Sequence, residues 1–201
     1  MESEKSKFDY YIVTPDSLFE RVDGIPMTKE EIRLISLNRL GVRNGGHFLD
    51  IGTGTGSVAV DMSRLAGPNG KIIALDRDEK AIKLARINLD RLSPYKNIQL
   101  VLADAYAYSP ADSFDAIFIG GGTGDLPNLV SKYVPFLKSG ARVVINAIQV
   151  KTLNDAVESL ELNNFRNVSV IEVQISVGMK TGSSYAMIAR NPIFVVSGEQ
   201  P

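Results

Sequence analysis

From about residue 28 onward, segments with apolar residues at helical spacing alternate with short runs that are almost wholly apolar. Apolar residues three or four positions apart predict amphipathic helices, whereas short apolar runs bounded by polar or glycine-rich segments predict buried strands. The predicted helices cover residues 28–40, 57–66, 79–92, 126–137 and 151–162. The predicted strands cover residues 47–51, 71–76, 98–103, 114–119 and 141–148. This alternation predicts an α/β fold with a mostly parallel sheet.

The chain ends in two further strand patterns, at residues 168–176 and 185–196, with no helix between them. Two such strands are expected to pair antiparallel. Five strand–helix steps followed by this pair are the order of elements in the Rossmann-like class I methyltransferase fold. We therefore expect a seven-stranded, mostly parallel sheet with an antiparallel last strand. Residues 1–27 are expected to form a partly mobile N-terminal arm, and residues 28–201 a single domain of that fold.

Composition and charge disfavour several classes of function. The 22 Lys and Arg residues nearly balance the 23 Asp and Glu residues, which gives a net charge of −1. This balance disfavours nucleic acid as a partner, because a phosphate backbone requires a basic face. Without cysteine and with one histidine, His47, the chain is not expected to bind a metal. No apolar run reaches the roughly 20 residues of a membrane span, and the charged start is not a signal peptide, so we expect a cytoplasmic protein that does not bind membranes.

The first predicted strand leads into a glycine-rich loop, Asp50-Ile-Gly52-Thr53-Gly54-Thr55-Gly56. Glycines permit positive φ and a close approach of a ligand to the backbone. The amides at the start of the next helix can then face a ligand carboxylate, which the helix dipole also favours. The segment from Gly54 to Ala59 also matches the Gly/Ala variant of the dinucleotide fingerprint. The loop alone therefore fits either an adenosyl cofactor or a dinucleotide.

Acidic residues at the ends of three successive strands distinguish these alternatives. Asp50 can interact with a positively charged group such as the methionine ammonium, and its charge would repel a pyrophosphate. Asp76 can accept both ribose hydroxyls, and Asp104-Ala105 lies where an adenine amino group is commonly held. Alternatively, Asp50 caps its loop and Asp76 caps the following helix. With the glycines, the three carboxylates predict S-adenosylmethionine as the cofactor. The predicted contacts here are Asp50, Gly52, Thr53, Gly54, Thr55, Gly56, Asp76, Asp104 and Ala105.

A second glycine-rich loop, Gly120-Gly-Gly-Thr-Gly-Asp125, follows the fourth strand. The acceptor substrate usually meets the methyl group at this position, and glycines there would let a flat, bulky ring come close. Alternatively, the segment is a plain loop before a helix that is capped by Asp125. The loop lacks the Asn/Asp-Pro-Pro-aromatic motif of amino-group methyltransferases, which disfavours adenine or glutamine side chains as acceptors.

Several segments resemble the decarboxylating cobalt-precorrin C15-methyltransferases of anaerobic cobalamin synthesis, the CbiT family. They are Gly24-Ile-Pro-Met-Thr-Lys-Glu-Glu-Ile-Arg33, the first glycine loop, Ala74-Leu-Asp-Arg77, Ile119-Gly-Gly-Gly-Thr-Gly124 and Ala189-Arg-Asn-Pro192. The resemblance extends over nearly the whole chain. It implies methylation of C15 of cobalt-precorrin-6B with loss of carbon dioxide from the C12 acetate arm, and a homo-oligomer, expected to be a tetramer. It also implies that Thr28 contacts the cofactor, although Thr28 could equally cap the first helix together with Glu31.

A precorrin carries several carboxylates, so cationic and polar side chains are expected to face its pocket. Lys151 is one candidate, although each such residue could equally be a solvated surface group. The predicted substrate-binding residues are Gly121, Gly122, Thr123, Gly124, Asn146, Lys180 and Arg190. No catalytic acid or base is identified. Met179, Tyr185 and Met187 are expected to fill the core rather than to line an apolar wall of the site.

Other functions remain open from the residues alone. A tRNA adenine-N1 methyltransferase or a protein isoaspartate methyltransferase has similar cofactor loops, although the former usually carries an additional N-terminal β domain. A non-enzymatic module that holds S-adenosylmethionine for regulation would have the same glycine loop. An NAD-linked dehydrogenase fits less well, because no catalytic acid–base group stands out.

Overall fold

The computed structural model describes residues 11–120 and 124–201, which form five α-helices and nine strands. The helices are α1 (Glu30–Leu40), α2 (Ser57–Ala66), α3 (Glu79–Leu92), α4 (Leu126–Tyr133) and α5 (Val150–Leu162). The strands are β1 (His47–Ile51), β2 (Lys71–Asp76), β3 (Ile98–Leu102), β4 (Phe114–Ile119), β5 (Leu137–Ala147), β6 (Arg166–Val173), β7 (Ser176–Thr181), β8 (Ser184–Ala189) and β9 (Ile193–Glu199). Among the described residues, no helix is long and apolar enough to cross a membrane.

Seven of the strands form one sheet in the order β3-β2-β1-β4-β5-β9-β6. Strands β1 to β5 pair in parallel, and β9 runs antiparallel to both β5 and β6. The predicted seven-stranded, mostly parallel sheet with an antiparallel last strand is therefore confirmed. The strand order reverses between β1 and β4. In open α/β sheets, ligands bind at the carboxyl ends of the strands beside such a reversal.

Each face of the sheet is covered by helices, so its central strands are buried on both sides. In β1, Phe48 packs in a cluster with residues of α1 and α2, whereas Leu49 packs in a cluster with residues of α4 and α5. Both side chains are completely buried. This two-sided burial explains why the parallel strands are continuous apolar runs rather than alternating ones.

The C-terminal segment contains four strands where the sequence pattern predicted two. The expected antiparallel pairing exists between β6 and β9. Between them, β7 and β8 form a separate two-stranded hairpin. Met179, Tyr185 and Met187 lie on this hairpin and are 54%, 67% and 65% exposed. Their predicted place in the core is therefore wrong, because the hairpin stands apart from the main sheet.

The junction between α4 and β5 also differs from the prediction. Helix α4 ends at Tyr133 and continues only as a 3₁₀ turn over Val134–Phe136, so the predicted helix was too long. Pro135 accounts for this, because it lacks an amide hydrogen and its ring clashes with the preceding helical turn. Strand β5 starts four residues earlier than predicted and pairs with β4 through an irregular register between Phe114 and Ala116.

The described part of the N-terminal arm, residues 11–27, packs against the helices. Phe19 is buried in a cluster with Val60 of α2 and with Ala85, Leu89 and Leu92 of α3. The backbone amide of Glu20 donates to Asn88 Oδ1 at 2.7 Å, and Asn88 Nδ2 donates to the Glu20 carbonyl at 3.1 Å. This segment therefore follows a defined path across the surface of helices α2 and α3.

Candidate active site

A cavity of about 440 Å³ lies at the carboxyl ends of β1, β2, β3 and β4. Its wall includes Asp50 and Ile51 of β1, Asp76 of β2, and Phe118 of β4. Residues 103–106, which follow β3, complete this side. The opposite wall comes from the N-terminal arm, through Gly24, Ile25, Pro26 and Thr28. The cavity thus occupies the position that the reversal of strand order predicts.

The first glycine loop is held tightly by its neighbours. The amides of Gly52 and Thr53 donate to the Leu75 carbonyl at 2.9 and 3.0 Å, and the Gly54 amide donates to Asp76 Oδ2 at 3.0 Å. Gly52 and Gly54 have φ of +77° and +54°, a region that favours glycine. A Cβ on Gly52 would overlap the Gly120 carbonyl, and one on Gly54 would lie 2.5 Å from the Pro26 carbonyl. These glycines therefore bring the loop close to other backbone segments as well as to the cavity.

Asp50 is a buried carboxyl group on the wall of the cavity. Its Oδ2 accepts a hydrogen bond from Thr53 Oγ1 at 2.6 Å, whereas Oδ1 makes no hydrogen bond of normal geometry with any described residue. The pKa of Asp50 is raised from 3.8 to about 7, mainly by burial and in part by the charge of Asp76, against the hydrogen bond from Thr53. A cationic ligand group beside Oδ1 would compensate this carboxylate.

Asp76 connects the glycine loop to the start of α3. Its Oδ2 accepts from the Gly54 amide and its Oδ1 accepts from the Asp78 amide, each at 3.0 Å. The N-cap of α3 is Asp78, whose side chain accepts from the Lys80 amide at 2.8 Å. The alternative reading of Asp76 as the helix cap is therefore wrong. Each carboxylate oxygen has a second lone pair, so Asp76 can also accept hydroxyl groups from the cavity.

Asp104 and Ala105 lie on the same wall, beyond the end of β3. Asp104 Oδ1 accepts from the Tyr106 amide at 2.8 Å, which fixes the turn after the strand. Tyr106 also lines the cavity, and its hydroxyl donates to the Asp125 carbonyl at 2.7 Å. Three carboxylates from consecutive parallel strands thus surround one cavity, as the sequence predicted. This arrangement suits a ligand with donors and a positive charge better than a pyrophosphate.

Comparison with known proteins places the chain in a family. The family model described as the precorrin methyltransferase domain matches residues 17–197. The chain belongs to this precorrin methyltransferase family. The resemblance inferred from the sequence segments is thereby confirmed.

The chain is also similar to individual relatives and solved structures. It is 44% identical over 189 residues to a probable cobalt-precorrin-6B C(15)-methyltransferase (decarboxylating) of Saccharolobus solfataricus, across 93% of this chain and 95% of the relative. A crystal structure of precorrin-6y C5,15-methyltransferase from Geobacter metallireducens has a TM-score of 0.85 and 30% identity, covering 96% of this chain and all of that one. The structure of precorrin 8W decarboxylase from Methanobacterium thermoautotrophicum has a TM-score of 0.85 and 26% identity, covering 92% and 98%.

Thr28 lies in the cavity wall of this precorrin methyltransferase family member, where the resemblance placed a cofactor contact. The N-cap of α1 is Lys29, and no side chain caps this helix. The alternative prediction of Thr28 as an N-cap paired with Glu31 is therefore wrong. The Thr28 carbonyl instead accepts from the Arg33 guanidinium, which fixes the backbone of the wall.

Two residues of the predicted cofactor set, Thr55 and Gly56, are not part of the cavity wall. The Thr55 carbonyl accepts from Asn88 Nδ2 at 2.9 Å, on the α3 side of the loop. A Cβ on Gly56 would lie 2.7 Å from Leu89 Cδ1, so this glycine permits α2 to pack closely against α3. Their placement indicates a role in supporting the loop.

The predicted substrate residues of this family member are dispersed. Gly124 lines the cavity, whereas Gly121, Gly122 and Thr123 lie outside the described residues. The others are not part of the cavity wall: Asn146 pairs with Ser36, Arg190 pairs with Glu31 at 2.9 Å, Lys151 pairs with Asp155, and Lys180 is exposed on the β7–β8 hairpin.

The sequence reasoning missed the wall formed by Gly24, Ile25 and Pro26. These residues have neither helical nor strand periodicity, so they were assigned to the N-terminal arm and to a segment of the family resemblance, but not to the site. A signal was nevertheless present, because a glycine and a proline next to Thr28 indicate a fixed turn. Leu129, on α4, is a further cavity residue that was not singled out, and it also packs in the core cluster.

Proposed function

We propose that this chain transfers a methyl group from S-adenosylmethionine to C15 of cobalt-precorrin-6B, with loss of the C12 acetate carboxyl group as carbon dioxide. The names of the 41–44% identical relatives support the acceptor and the decarboxylation. The cofactor rests chiefly on Asp50, a fully buried carboxyl group on the cavity wall that has no cationic partner among the described residues. The ammonium group of a methionine moiety would supply the positive charge that this carboxylate lacks.

The carboxylate acceptors of the cavity fit the donor groups of an S-adenosylmethionine along its length. Asp50 would hold the ammonium group, Asp76 the ribose hydroxyls, and Asp104 the adenine amino group. NAD fits less well, because its pyrophosphate would lie among three carboxylates, and Arg77 is the one basic residue among the described residues of the cavity wall that could offset its charge. Carboxylate acceptors for an ammonium, two hydroxyls and an amino group therefore favour the methyl donor.

S-adenosylmethionine supplies a methyl group on a positively charged sulfur, which is a good leaving group. The residues of this chain need mainly to bind, orient and exclude water. Asp50 and Asp104 would hold the two ends of the bound molecule and Asp76 its ribose. Much of the entropic cost of orienting the methyl group would then be met on binding, before the chemical step. Phe118, Val58 and Leu129 contribute apolar surface to the cavity and keep water from the reacting atoms.

For decarboxylation, too, the residues of this chain need mainly to bind and orient the substrate. When the bond between the acetate methylene and its carboxyl group breaks, the electron pair passes into the conjugated tetrapyrrole, carbon dioxide leaves, and a proton adds to the side-chain carbon. The tetrapyrrole is therefore the electron acceptor. The protein must hold the acetate so that the breaking bond is aligned with the conjugated system, and no acid or base of unusual strength is needed.

Two measurements test this function. Calorimetry should show binding of S-adenosylhomocysteine and none of NAD, and incubation with S-adenosylmethionine and cobalt-precorrin-6B should yield a product that has gained one methyl group and lost carbon dioxide. Binding of NAD alone would overturn the cofactor. Binding of S-adenosylhomocysteine without turnover of the tetrapyrrole would instead favour a regulatory module, or a tRNA or isoaspartate methyltransferase, which the corresponding acceptors would reveal.

If Asp76 contacts the ribose, the affinity lost on its substitution should depend on the ribose hydroxyl groups of the ligand. Asp76→Ala should weaken binding of S-adenosylhomocysteine by about 1–3 kcal/mol, because hydrogen bonds to a charged group are lost. The same substitution should cost clearly less affinity for the 2′-deoxy analogue, since one of the hydroxyls is already absent. Calorimetry on both ligands measures the difference. Asp90→Ala, on the exposed face of α3, is the matched control. Equal losses for both ligands would reject the ribose contact.

We further propose that the chain forms a homo-oligomer, with four copies as the resemblance implies, through the β7–β8 hairpin. Both faces of this hairpin expose apolar side chains: Met179 and Ile188 lie on one face, Tyr185 and Met187 on the other. Exposed apolar surface of this kind is typical of protein interfaces. A neighbouring copy that packs against the hairpin would bury it.

Substitution of one hairpin residue should therefore dissociate the oligomer. Met187→Lys introduces a charge that would be buried in the interface, so the mass measured by light scattering should fall to that of smaller species. Ile87→Lys replaces a comparably exposed apolar residue on α3, and its mass should equal that of the unmodified protein. A Met187→Lys protein with the unmodified mass would exclude the hairpin as the contact.

A further inference from the structure

Arg33, on α1, has a completely buried side chain although it carries a charge. Burial of an arginine is unfavourable unless the guanidinium is paired and its donors are satisfied. None of the chemistry proposed above requires Arg33, and it does not line the cavity. Its burial therefore needs another explanation, which its partners supply.

The guanidinium contacts the two ends of one segment of the arm. Its Nη1 donates to Asp16 Oδ1 at 2.7 Å and to the Thr28 carbonyl, and its Nη2 donates to the Thr14 carbonyl. The segment from residue 14 to residue 28 is thus closed into a loop by a single side chain. The ring of Phe19, from the middle of this segment, lies 5.0 Å from the guanidinium carbon.

The Nε atom of Arg33 connects the loop to the helix that follows the cofactor loop. Arg33 Nε donates to Asp61 Oδ2 at 2.8 Å, and both side chains are fully buried. Asp61 Oδ1 accepts from the Thr14 amide at 2.8 Å and from Thr14 Oγ1 at 2.7 Å. Since α2 begins at Ser57, directly after the glycine loop, Asp61 anchors the arm to the element that presents that loop.

The residues enclosed by this loop form the wall of the cavity that faces the strand ends. Gly24, Ile25 and Pro26 line the cavity together with Thr28. The Pro26 carbonyl accepts from the Thr55 amide at 3.4 Å and approaches Gly54 so closely that a Cβ there would not fit. The position of this wall relative to the glycine loop is therefore set at Pro26 and at the buried guanidinium.

We propose that Arg33 and Asp61 are positioning residues that fix residues 24–28 as one wall of the cofactor cavity and thereby set the affinity for S-adenosylmethionine. The identity of the ligand rests on the proposed function. An arginine is required because its Nε and two Nη atoms diverge toward Asp61, Asp16 and two carbonyls, a geometry that the single ammonium of lysine cannot reproduce. Without these bonds, the wall would be correctly placed only part of the time.

The apparent dissociation constant depends directly on the fraction of time for which the wall is correctly placed. If the wall is in place for one tenth of the time, the apparent dissociation constant rises about tenfold. Arg33→Lys should therefore raise the dissociation constant of S-adenosylhomocysteine and the KM for S-adenosylmethionine by about tenfold, with kcat within about twofold of the unmodified value. Hydrogen exchange of the amides at residues 25, 27 and 28, measured without ligand, should become faster.

Arg91→Lys is the matched control. Arg91 also holds the arm, through Glu20 Oε1 and the Leu18 carbonyl at 2.8 Å, but its side chain is half exposed and none of these partners lines the cavity. The affinity of this variant, and the exchange of its amides at residues 25, 27 and 28, should match those of the unmodified protein. All affinities are compared well below the unfolding midpoint of each variant, so that a loss of global stability alone leaves them unchanged.

The possible outcomes are distinguishable. A folded Arg33→Lys protein with unmodified affinity and exchange would overturn the proposal, as would a fall in kcat with an unchanged KM. If Arg33→Lys does not fold, Asp16→Ala removes only the outer partner and should give a smaller change in the same direction, and an unchanged affinity there would equally overturn it. If the unmodified protein binds no S-adenosylhomocysteine, the proposed function itself fails, a result that the exchange measurement does not depend on.

Discussion

Asp50→Asn should raise the free energy of unfolding, relative to that of the unmodified protein, more at neutral pH than at acid pH. The same substitution should remove most of the affinity for S-adenosylhomocysteine. The two effects have one cause, since the buried carboxylate is unfavourable without a cationic partner and favourable beside one. The expected loss of binding at pH 8 is about 2–3 kcal/mol, the range of a hydrogen bond between charged groups. A gain in stability combined with a loss of binding is the behaviour expected of a charged binding residue that is buried in its site.

The pH dependence of stability follows from the raised pKa of Asp50. Its pKa is about 7 in the folded protein and 3.8 when unperturbed. Between these values the unfolded chain has lost the proton and the folded protein retains it, so this group lowers the free energy of unfolding as the pH rises from about 4 to about 7. The side-chain amide of the Asp50→Asn variant does not titrate. The stability of the variant relative to the unmodified protein should therefore increase over this range by on the order of 4 kcal/mol and stay constant above it.

Ligand binding should depend on pH in the opposite sense. Because an ammonium group favours the ionised form of Asp50, binding below pH 7 requires release of a proton, and affinity should fall by up to about tenfold per pH unit. Asp50→Asn should bind weakly at every pH. Urea unfolding and calorimetry at pH 5, 6, 7 and 8 measure both effects, with Asp90→Asn as the surface control. A variant that binds as tightly as the unmodified protein, or whose relative stability does not change with pH, would contradict this account of Asp50.

The central part of the fold and the three carboxylates could be predicted from the sequence for one physical reason. Strands that are buried on both faces are continuous apolar runs, and the structure has β1, β2 and β4 with the predicted limits. Once these strands are parallel neighbours, the residues that end them must lie at one edge of the sheet. Asp50 and Asp76 could therefore be placed together before any contact was known.

The C-terminal hairpin could not be predicted in the same way. Its apolar residues have the composition of a buried strand, and pattern alone does not distinguish a side chain that is covered by the core from one that is exposed. Met179 and Met187 were assigned to the core for this reason, although they lie on a hairpin outside the main sheet. Which surface they cover depends on neighbours that local sequence does not specify.

The arm illustrates a second limit. Its path depends on the contact of Arg33 with Asp61, which is 28 positions away in the chain, and on carbonyl groups that every residue possesses. Neither partner stands out in composition or spacing. Thr28 shows the same effect locally, because its capping-box spacing was correct, yet the structure uses its carbonyl as an acceptor for Arg33 and starts the helix after Lys29. Long-range pairing has overridden a local preference.

Gly52→Ala should be the most destabilising single-methyl change in the cofactor loop. The backbone at Gly52 has φ of +77°, which costs an alanine about 1–2 kcal/mol. The added Cβ would also overlap the Gly120 carbonyl, so the loops that follow β1 and β4 would have to separate. Together these effects should lower the free energy of unfolding by about 3 kcal/mol or more and should weaken binding of S-adenosylhomocysteine, since Asp50 and the loop amides would move with the strand end.

Gly140→Ala separates the two contributions. Gly140 has a similar φ of +72°, but a Cβ there would have no atom within 4 Å, and it lies in β5 away from the cavity. This control should lose only the conformational part, about 1–2 kcal/mol, and should bind S-adenosylhomocysteine normally. The difference between the two variants in urea unfolding is then the contribution of the contact between the loops after β1 and β4. If Gly52→Ala were no less stable than Gly140→Ala and bound the ligand equally well, close packing of these loops would not be what requires a glycine at position 52.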